Sequence, residues 1–193
     1  SEISEALKSC QNYEIIFVDD GSNDGTKNKI IDLSMKFPQI RLIVHDKCYG
    51  QSVAMRSGII KSKYDLIGTL DGDGQNDPND LIFLIIDYLS SKNNLCLVAG
   101  IRKNRKDNFI KKISSIIANR VRSIILNDDC LDTGCSLKVF DKNVFLKFPF
   151  FDGMHRFIPA LFSGFNKKTF FISVNHRHRI HGKSNYGTIE RLY

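Results

Sequence analysis

Residues 13–26 read YEIIFVDDGSNDGT, and the rest of the chain repeats the pattern they set. Residues 13–18 are a short apolar run with β-branched side chains, and it stops at once on Asp, Gly, Ser and Asn. Such a run predicts a buried strand that ends in a loop. Apolar residues at Ile30, Ile31, Leu33, Met35 and Phe37 then give residues 26–37 an imperfect helical face. Working outward, the unit recurs. Residues 40–44 (IRLIV) predict a strand, 51–60 a helix, and 65–70 (DLIGTL) a third strand running into a second loop of Asp and Gly. Pro78 stands where proline suits a helix start, ahead of a helix over 79–91. A fourth strand is expected at 95–100 and the longest helix at 108–126. Residues 136–140 (SLKVF) alternate like a strand, a helical piece covers 154–162, and a last strand lies near 169–176. Residues 1–9 read as the end of a helix. Strands alternating with helices predict an α/β fold whose mainly parallel sheet is flanked by helices. In such sheets ligands bind beyond the carboxyl ends of the strands, which is where the acidic loops fall.

Composition narrows the class. The 193 residues are 42% hydrophobic and 25% charged, enough for one domain with a real core. The formal charge of +7 suits an anionic partner, whether nucleotide phosphates, an acidic membrane surface or nucleic acid. No stripe of interleaved basic and aromatic residues supports nucleic acid. Cys10, Cys48, Cys96, Cys130 and Cys135 form no C-x-x-C pair and read as reduced thiols rather than a disulfide framework. No stretch reaches the roughly 18 to 20 apolar residues of a membrane span. No signal peptide opens the chain.

The loop Asp19-Asp20-Gly21-Ser22-Asn23-Asp24-Gly25-Thr26 has two readings. It is a strand-to-helix turn with Asp24 or Thr26 as the cap. Alternatively, the adjacent Asp19 and Asp20 accept hydrogen bonds from a bound base or ribose. In the second loop, Asp71 and Asp73 are two residues apart, so in an extended segment both face one side. Two hard oxygen ligands so placed suit Mg²⁺ or Mn²⁺ shared with substrate phosphates; a solvated acidic turn is the alternative. A calcium loop is excluded, because the later bidentate Glu is missing and the flanks are strand and helix. Arg102, Arg105 and the run from His176 to Tyr186 (HRHRIHGKSNY) offer donors for phosphate; its three histidines also raise zinc. Lys111, Lys112, Arg120 and Arg122 give the 108–126 helix a basic side, suited to an acidic membrane or simply to solvent.

Taken in order, DDGSNDGT, DGDGQNDP, DTGCSLKVF and HRHRIHGKSNYG resemble the family 2 glycosyltransferases of GT-A (Rossmann-like) fold, over residues 13–186. More closely, the chain is similar to the polyprenyl-phosphate glycosyltransferases. The resemblance implies one catalytic domain over 1–193, a fragment truncated at both ends, with the family's first strand and its P-x-x-N-E signature missing. It implies inverting transfer from a UDP- or GDP-linked sugar to a polyprenyl phosphate at the cytosolic face of a membrane, with Mg²⁺ or Mn²⁺. A family 2 enzyme acting on a glycan hydroxyl is the alternative. Position by position, it implies base and ribose recognition by Asp19 and Asp20, and metal and diphosphate binding by Asp71 and Asp73, with Gln75 beside the sugar. Asp132 falls at the acidic position facing the acceptor, and Arg102 at the arginine after the fourth strand. Arg179 and Ser184 match the phosphate contacts of R-x-x-G-x-S-K. Asn185 replaces that motif's lysine, with Lys183 close by to take its part. A phosphate acceptor is already ionised and needs little help from a base; a hydroxyl would need Asp132 in that role.

Overall fold

The computed structural model describes residues 2–91, 95–103, 130, 132–165 and 167–178. The expected helix at 108–126, together with Arg105, Arg179, Lys183 and Ser184, lies outside them. A short helix α1 (Glu2–Ala6) runs into a 3-10 turn (Leu7–Ser9) and leads to β1 (Ile15–Asp19). Then come α2 (Thr26–Lys36), β2 (Ile40–Val44), α3 (Gln51–Lys61), β3 (Leu66–Thr69), α4 (Pro78–Ser90) and β4 (Leu95–Arg102). Next are β5 (Lys138–Asp141), α5 (Lys142–Phe145), a 3-10 turn (Met154–Arg156), α6 (Ile158–Gly164) and β6 (Lys168–Val174). The boundaries follow local chemistry. Pro78 opens α4 behind Asp77, whose carboxylate accepts from the Asn79 N–H at 3.0 Å. At α2 the cap position is taken by Gly25 in the left-handed region rather than by Asp24 or Thr26, and Asp24 accepts from the Thr26 N–H at 3.1 Å in the turn before it. The sequence gives no warning of α5, one turn long and capped by the Asp141 carboxylate on the Val144 N–H.

β1 and β2 pair in parallel, and β3-β5-β4-β6 form a four-stranded sheet. β4 and β6 are parallel, while β5 is inserted antiparallel to both β3 and β4. The strands are thus mixed and only partly parallel: β5, reversed between β3 and β4, makes two antiparallel pairings where the sequence predicts a mainly parallel sheet. That reversal carries the chain from the residues before Lys138 straight to the ends of β3 and β4.

Alternation builds a core on both faces of the larger sheet. Leu97 and Ala99 of β4 and Phe140 of β5 pack with Phe145, Phe148, Met154, Ile158 and Phe162. Val98 and Val139 point the other way, onto Leu81 and Leu84 of α4, with Val174 of β6. This is the period-two signature of a sheet covered on both sides. Ile15, Ile30 and Ile40 make a third cluster where α2 covers β1 and β2. Among the described residues, no helix is long and apolar enough to cross a membrane.

Candidate functional site

Parallel pairing of β1 with β2 sets Asp19 beside Val44, so the loops that leave these strands run side by side. Gly21 marks how close they come: its φ is +76°, and a Cβ there would sit 2.6 Å from the Lys47 carbonyl carbon. The Asp20 carboxylate bridges the gap. It accepts from His45 Nδ1 at 2.7 Å, the Tyr49 N–H at 3.0 Å, the Gly50 N–H at 2.8 Å and the Cys48 thiol at 3.3 Å. Burial alone would raise its pKa, but these hydrogen bonds outweigh it and hold the group below the usual carboxylate range. Its position at the start of α3 also suits the positive end of the helix dipole. Asp19 is buried and accepts from the Ser22 N–H at 3.1 Å. The two acids at the end of β1 therefore shape the loops around them.

Gln51, the first residue of α3, donates from Nε2 to Asp71 Oδ1 at 3.1 Å, so one short segment joins both acidic loops. Asp71, Asp73, Gln75, Asn76, Arg102, Gly134, Ser136 and His176 line a small polar cleft at the carboxyl ends of β3 and β4. Asp71 is half-buried, and its pKa is raised. Loss of solvent is the main cause, the nearby Asp73 charge adds to it, and a bond from Ser136 with the charges of Lys138 and Arg102 offsets part. Asp73 accepts from the Gln75 N–H at 3.0 Å. A cation between Asp71 and Asp73 would relieve their repulsion, and two carboxylates plus ligand phosphates are what Mg²⁺ or Mn²⁺ takes. The residues present fit such an ion. Among the described residues, no cluster of three or more His, Cys, Asp and Glu forms a closed metal site.

Arg102 ends β4, and Asp132 holds it through both oxygens: Nε to Oδ2 at 2.8 Å and Nη2 to Oδ1 at 2.7 Å. The Arg102 N–H adds a third bond to Oδ2 at 3.1 Å. Asp132 is buried, so its charge depends on this fork-to-fork pairing. Gly134 leaves room for the pair, because a Cβ there would lie 2.8 Å from Arg102 Nη2.

The chain after β6 is fastened to the same loop. The Arg177 N–H donates to the Gln75 carbonyl at 2.8 Å, and the Arg177 guanidinium pairs with Asp77 at 2.8 Å. The Asn175 N–H donates to Asp80 at 2.6 Å, and His176 bridges Asn76. Thus 175–178 lies along 75–80 and puts His176 on the cleft.

Of the residues singled out in the sequence, the cleft collects Asp71, Asp73, Gln75 and Arg102, with Asp132 behind Arg102. Asp19 and Asp20 do not line it. Sequence reasoning missed Gln51, Asn76, Gly134, Ser136 and the buried Lys138. A lysine inside an otherwise apolar strand was the available signal for the last.

Residues 2–150, more than three quarters of the chain, match the family described as glycosyl transferase family 2. The chain belongs to glycosyl transferase family 2. This family 2 chain is 37% identical over 179 residues to dodecaprenyl-phosphate galacturonate synthase of Rhizobium johnstonii, covering 91% of the chain and 52% of that protein. It is 31% identical over 183 residues to undecaprenyl-phosphate 4-deoxy-4-formamido-L-arabinose transferase of Aeromonas hydrophila, covering 94% and 55%. The chain thus spans about half the length of the curated relatives it matches. Its fold resembles glucosyl-3-phosphoglycerate synthase from Mycobacterium tuberculosis, solved with Mn²⁺, UDP-glucose and phosphoglyceric acid. The TM-score is 0.68 at 15% identity, over 92% of this chain and 66% of that one. At that identity the likeness shows the GT-A-type fold.

Proposed function

We propose that this family 2 chain is one catalytic domain of an inverting glycosyltransferase that moves a sugar from a UDP- or GDP-linked donor to a polyprenyl phosphate. The observation that carries the acceptor reading is the clamp on Asp132. A carboxylate held in a bidentate ion pair is a poor proton acceptor, which disfavours Asp132 as the base for a hydroxyl and favours an acceptor that arrives already ionised. A phosphate monoester does; a sugar hydroxyl does not. The names of the polyprenyl-phosphate relatives support the same acceptor. The site then works at the cytosolic face of a membrane, where such lipids present their phosphates.

In this reading the loop rooted at Asp19 and Asp20 seats the base and ribose, with its shape fixed by the bonds from Asp20 to 45–50. Asp71 and Asp73 hold Mg²⁺ or Mn²⁺, and Gln75 lies beside the sugar. That metal supplies neutralisation of the charge that grows on the diphosphate leaving group. Arg102, aimed by Asp132, faces phosphate oxygens in the cleft, and Arg179, Lys183 and Ser184, by their place in the family motif, are further phosphate contacts. An oxygen of the lipid phosphate attacks the anomeric carbon as its bond to the diphosphate oxygen breaks on the opposite side, which inverts the centre. The protein's task is positioning and charge complementarity rather than proton transfer.

The test is the pH–rate profile of Asp132→Asn in the full-length enzyme, with polyprenyl phosphate and Mn²⁺ supplied. The lost rate should not return at higher pH, because Asp132 orients Arg102 rather than accepting a proton. Alkaline rescue, or no turnover of polyprenyl phosphate by the wild type, would transfer the assignment to a glycan hydroxyl acceptor.

A further inference from the structure

The bonds that satisfy Asp20 leave open what meets a base. Both carboxylate oxygens are engaged: Oδ1 accepts from His45 Nδ1 and the Tyr49 N–H, and Oδ2 from the Gly50 N–H and the Cys48 thiol. Asp19 is buried and accepts from the Ser22 N–H. What the same pair of loops holds out is the ring of Tyr49, and the residue is 45% exposed. A lone exposed aromatic is ordinary on a protein surface. This one is held from several sides. Its backbone N–H is fixed on Asp20 at 3.0 Å. The His45 ring stands perpendicular to it with centroids 5.5 Å apart, and His45 is itself held by Asp20 and by Ser57 Oγ at 3.0 Å. The Lys47 ammonium lies over the Tyr49 ring, 5.2 Å from its centroid. A ring held in this way has little freedom left to lose when a flat ligand covers it.

The position suits a nucleoside. Gln51, two residues further on, donates to Asp71 Oδ1 at 3.1 Å. Two residues of chain span at most about 7 Å, so Tyr49 is rooted close to the acids that would hold the metal and diphosphate. We propose that the Tyr49 ring is the platform on which the base of the donor nucleotide stacks, and that Asp20 acts on the base only through Tyr49. This rests on the nucleotide reading made above, and it moves the contact with the base from the two acids to an aromatic that the sequence motifs do not single out. Every base has a π-face, so the platform serves uracil and guanine alike, and losing it weakens binding on the order of tenfold or more. A tyrosine that merely props up the 45–50 segment would act differently, since its loss would loosen the diphosphate as well as the base.

The experiment measures UDP, GDP and inorganic pyrophosphate, each with Mn²⁺, binding by calorimetry to the full-length wild type, Tyr49→Leu and Tyr49→Phe. Pyrophosphate keeps the diphosphate and lacks the base. Leu removes the ring, so UDP and GDP should bind about tenfold weaker or more while pyrophosphate binds as before. Phe keeps the ring and should restore nucleotide binding. Tyr49→Trp gives a second readout, because residues 1–193 contain no tryptophan. The emission it adds over the wild-type background should change with UDP and GDP and not with pyrophosphate. Unchanged nucleotide binding in Tyr49→Leu overturns the proposal, as does added emission indifferent to nucleotide. Equal weakening of pyrophosphate overturns it too and makes the ring a scaffold for the 45–50 segment. Should Tyr49→Leu fail to fold, the emission of Tyr49→Trp decides alone. If the wild type binds neither nucleotide, the nucleotide reading itself falls and this inference falls with it. Wild-type binding of nucleotide with an unchanged Leu variant removes the Tyr49 role alone.

Discussion

The loops after β1 and β3 look alike in sequence, each with two acids at a strand end followed by glycine, and the fold treats them in opposite ways. Asp20 receives donors from His45, Cys48, Tyr49 and Gly50, and its pKa is lowered. Asp71 has lost solvent and faces the charge of Asp73, and its pKa is raised. The first carboxylate is satisfied by the protein and fixes the neighbouring loop; the second is left in deficit and gains from a cation. A satisfied acid contributes stability, whereas a strained one stores a cost that ligand binding releases. The segment 49–51 links the two: its N–H groups at Tyr49 and Gly50 hold Asp20, and its Gln51 side chain reaches Asp71.

The sharpest way to break this contrast is to neutralise the second loop. Asp71→Asn with Asp73→Asn should reduce Mn²⁺-dependent binding of UDP- or GDP-sugar by at least about a hundredfold, the loss of both hard ligands. Asp71→Asn alone should leave the metal-free protein as stable as the wild type or more so, by up to about 1 kcal/mol, since it removes a penalised charge and keeps an acceptor for Gln51. Calorimetry and urea unfolding read the two effects; unchanged donor binding in the double variant sinks the metal assignment.

Neutralising the first loop should do the reverse. Asp20→Ala strands the N–H groups of Tyr49 and Gly50 and leaves His45 without its acceptor. The expected cost is about 2 kcal/mol of stability, seen as a lower urea midpoint. A loss well under 1 kcal/mol would mean that the 45–50 segment keeps its shape without Asp20.

The smallest effect is in the pH dependence, and it separates the loops by sign. Asp20 has a folded pKa below its unfolded value near 3.8, so its stabilisation is complete above 3.8 and is lost as pH falls through the lowered value. Asp71 has a folded pKa above 3.8, so its penalty is absent below 3.8 and grows as pH rises to the raised value. The deficit of Asp20→Ala should therefore close on the acid side of 3.8, and any gain from Asp71→Asn should close on the way down toward it. Urea unfolding between about pH 3 and 7 checks this; a single shared transition for both variants would contradict it.

Much of this molecule is legible in one dimension. The apolar runs at 40–44 and 66–69, the Pro78 helix start and the Asp-Gly loops follow from local propensity and from the two periods of strand and helix. The spacing of Asp71 and Asp73 is equally local, as is the order of motifs that marks the family. What no local pattern specifies is which partner each charge meets. Asp132 meets Arg102 thirty positions earlier because β5 runs back antiparallel between β3 and β4. Lys138 is buried opposite Thr69 and Ala99 for the same reason, and Asp20 is satisfied because parallel pairing brings 45–50 alongside it. The sequence by itself determined most of the described elements, though not α5, together with their acidic ends and the family. Tertiary structure alone decided which acids are satisfied and which are strained, because desolvation and charge pairing depend on strand order and register, and these are set by contacts far apart in the chain.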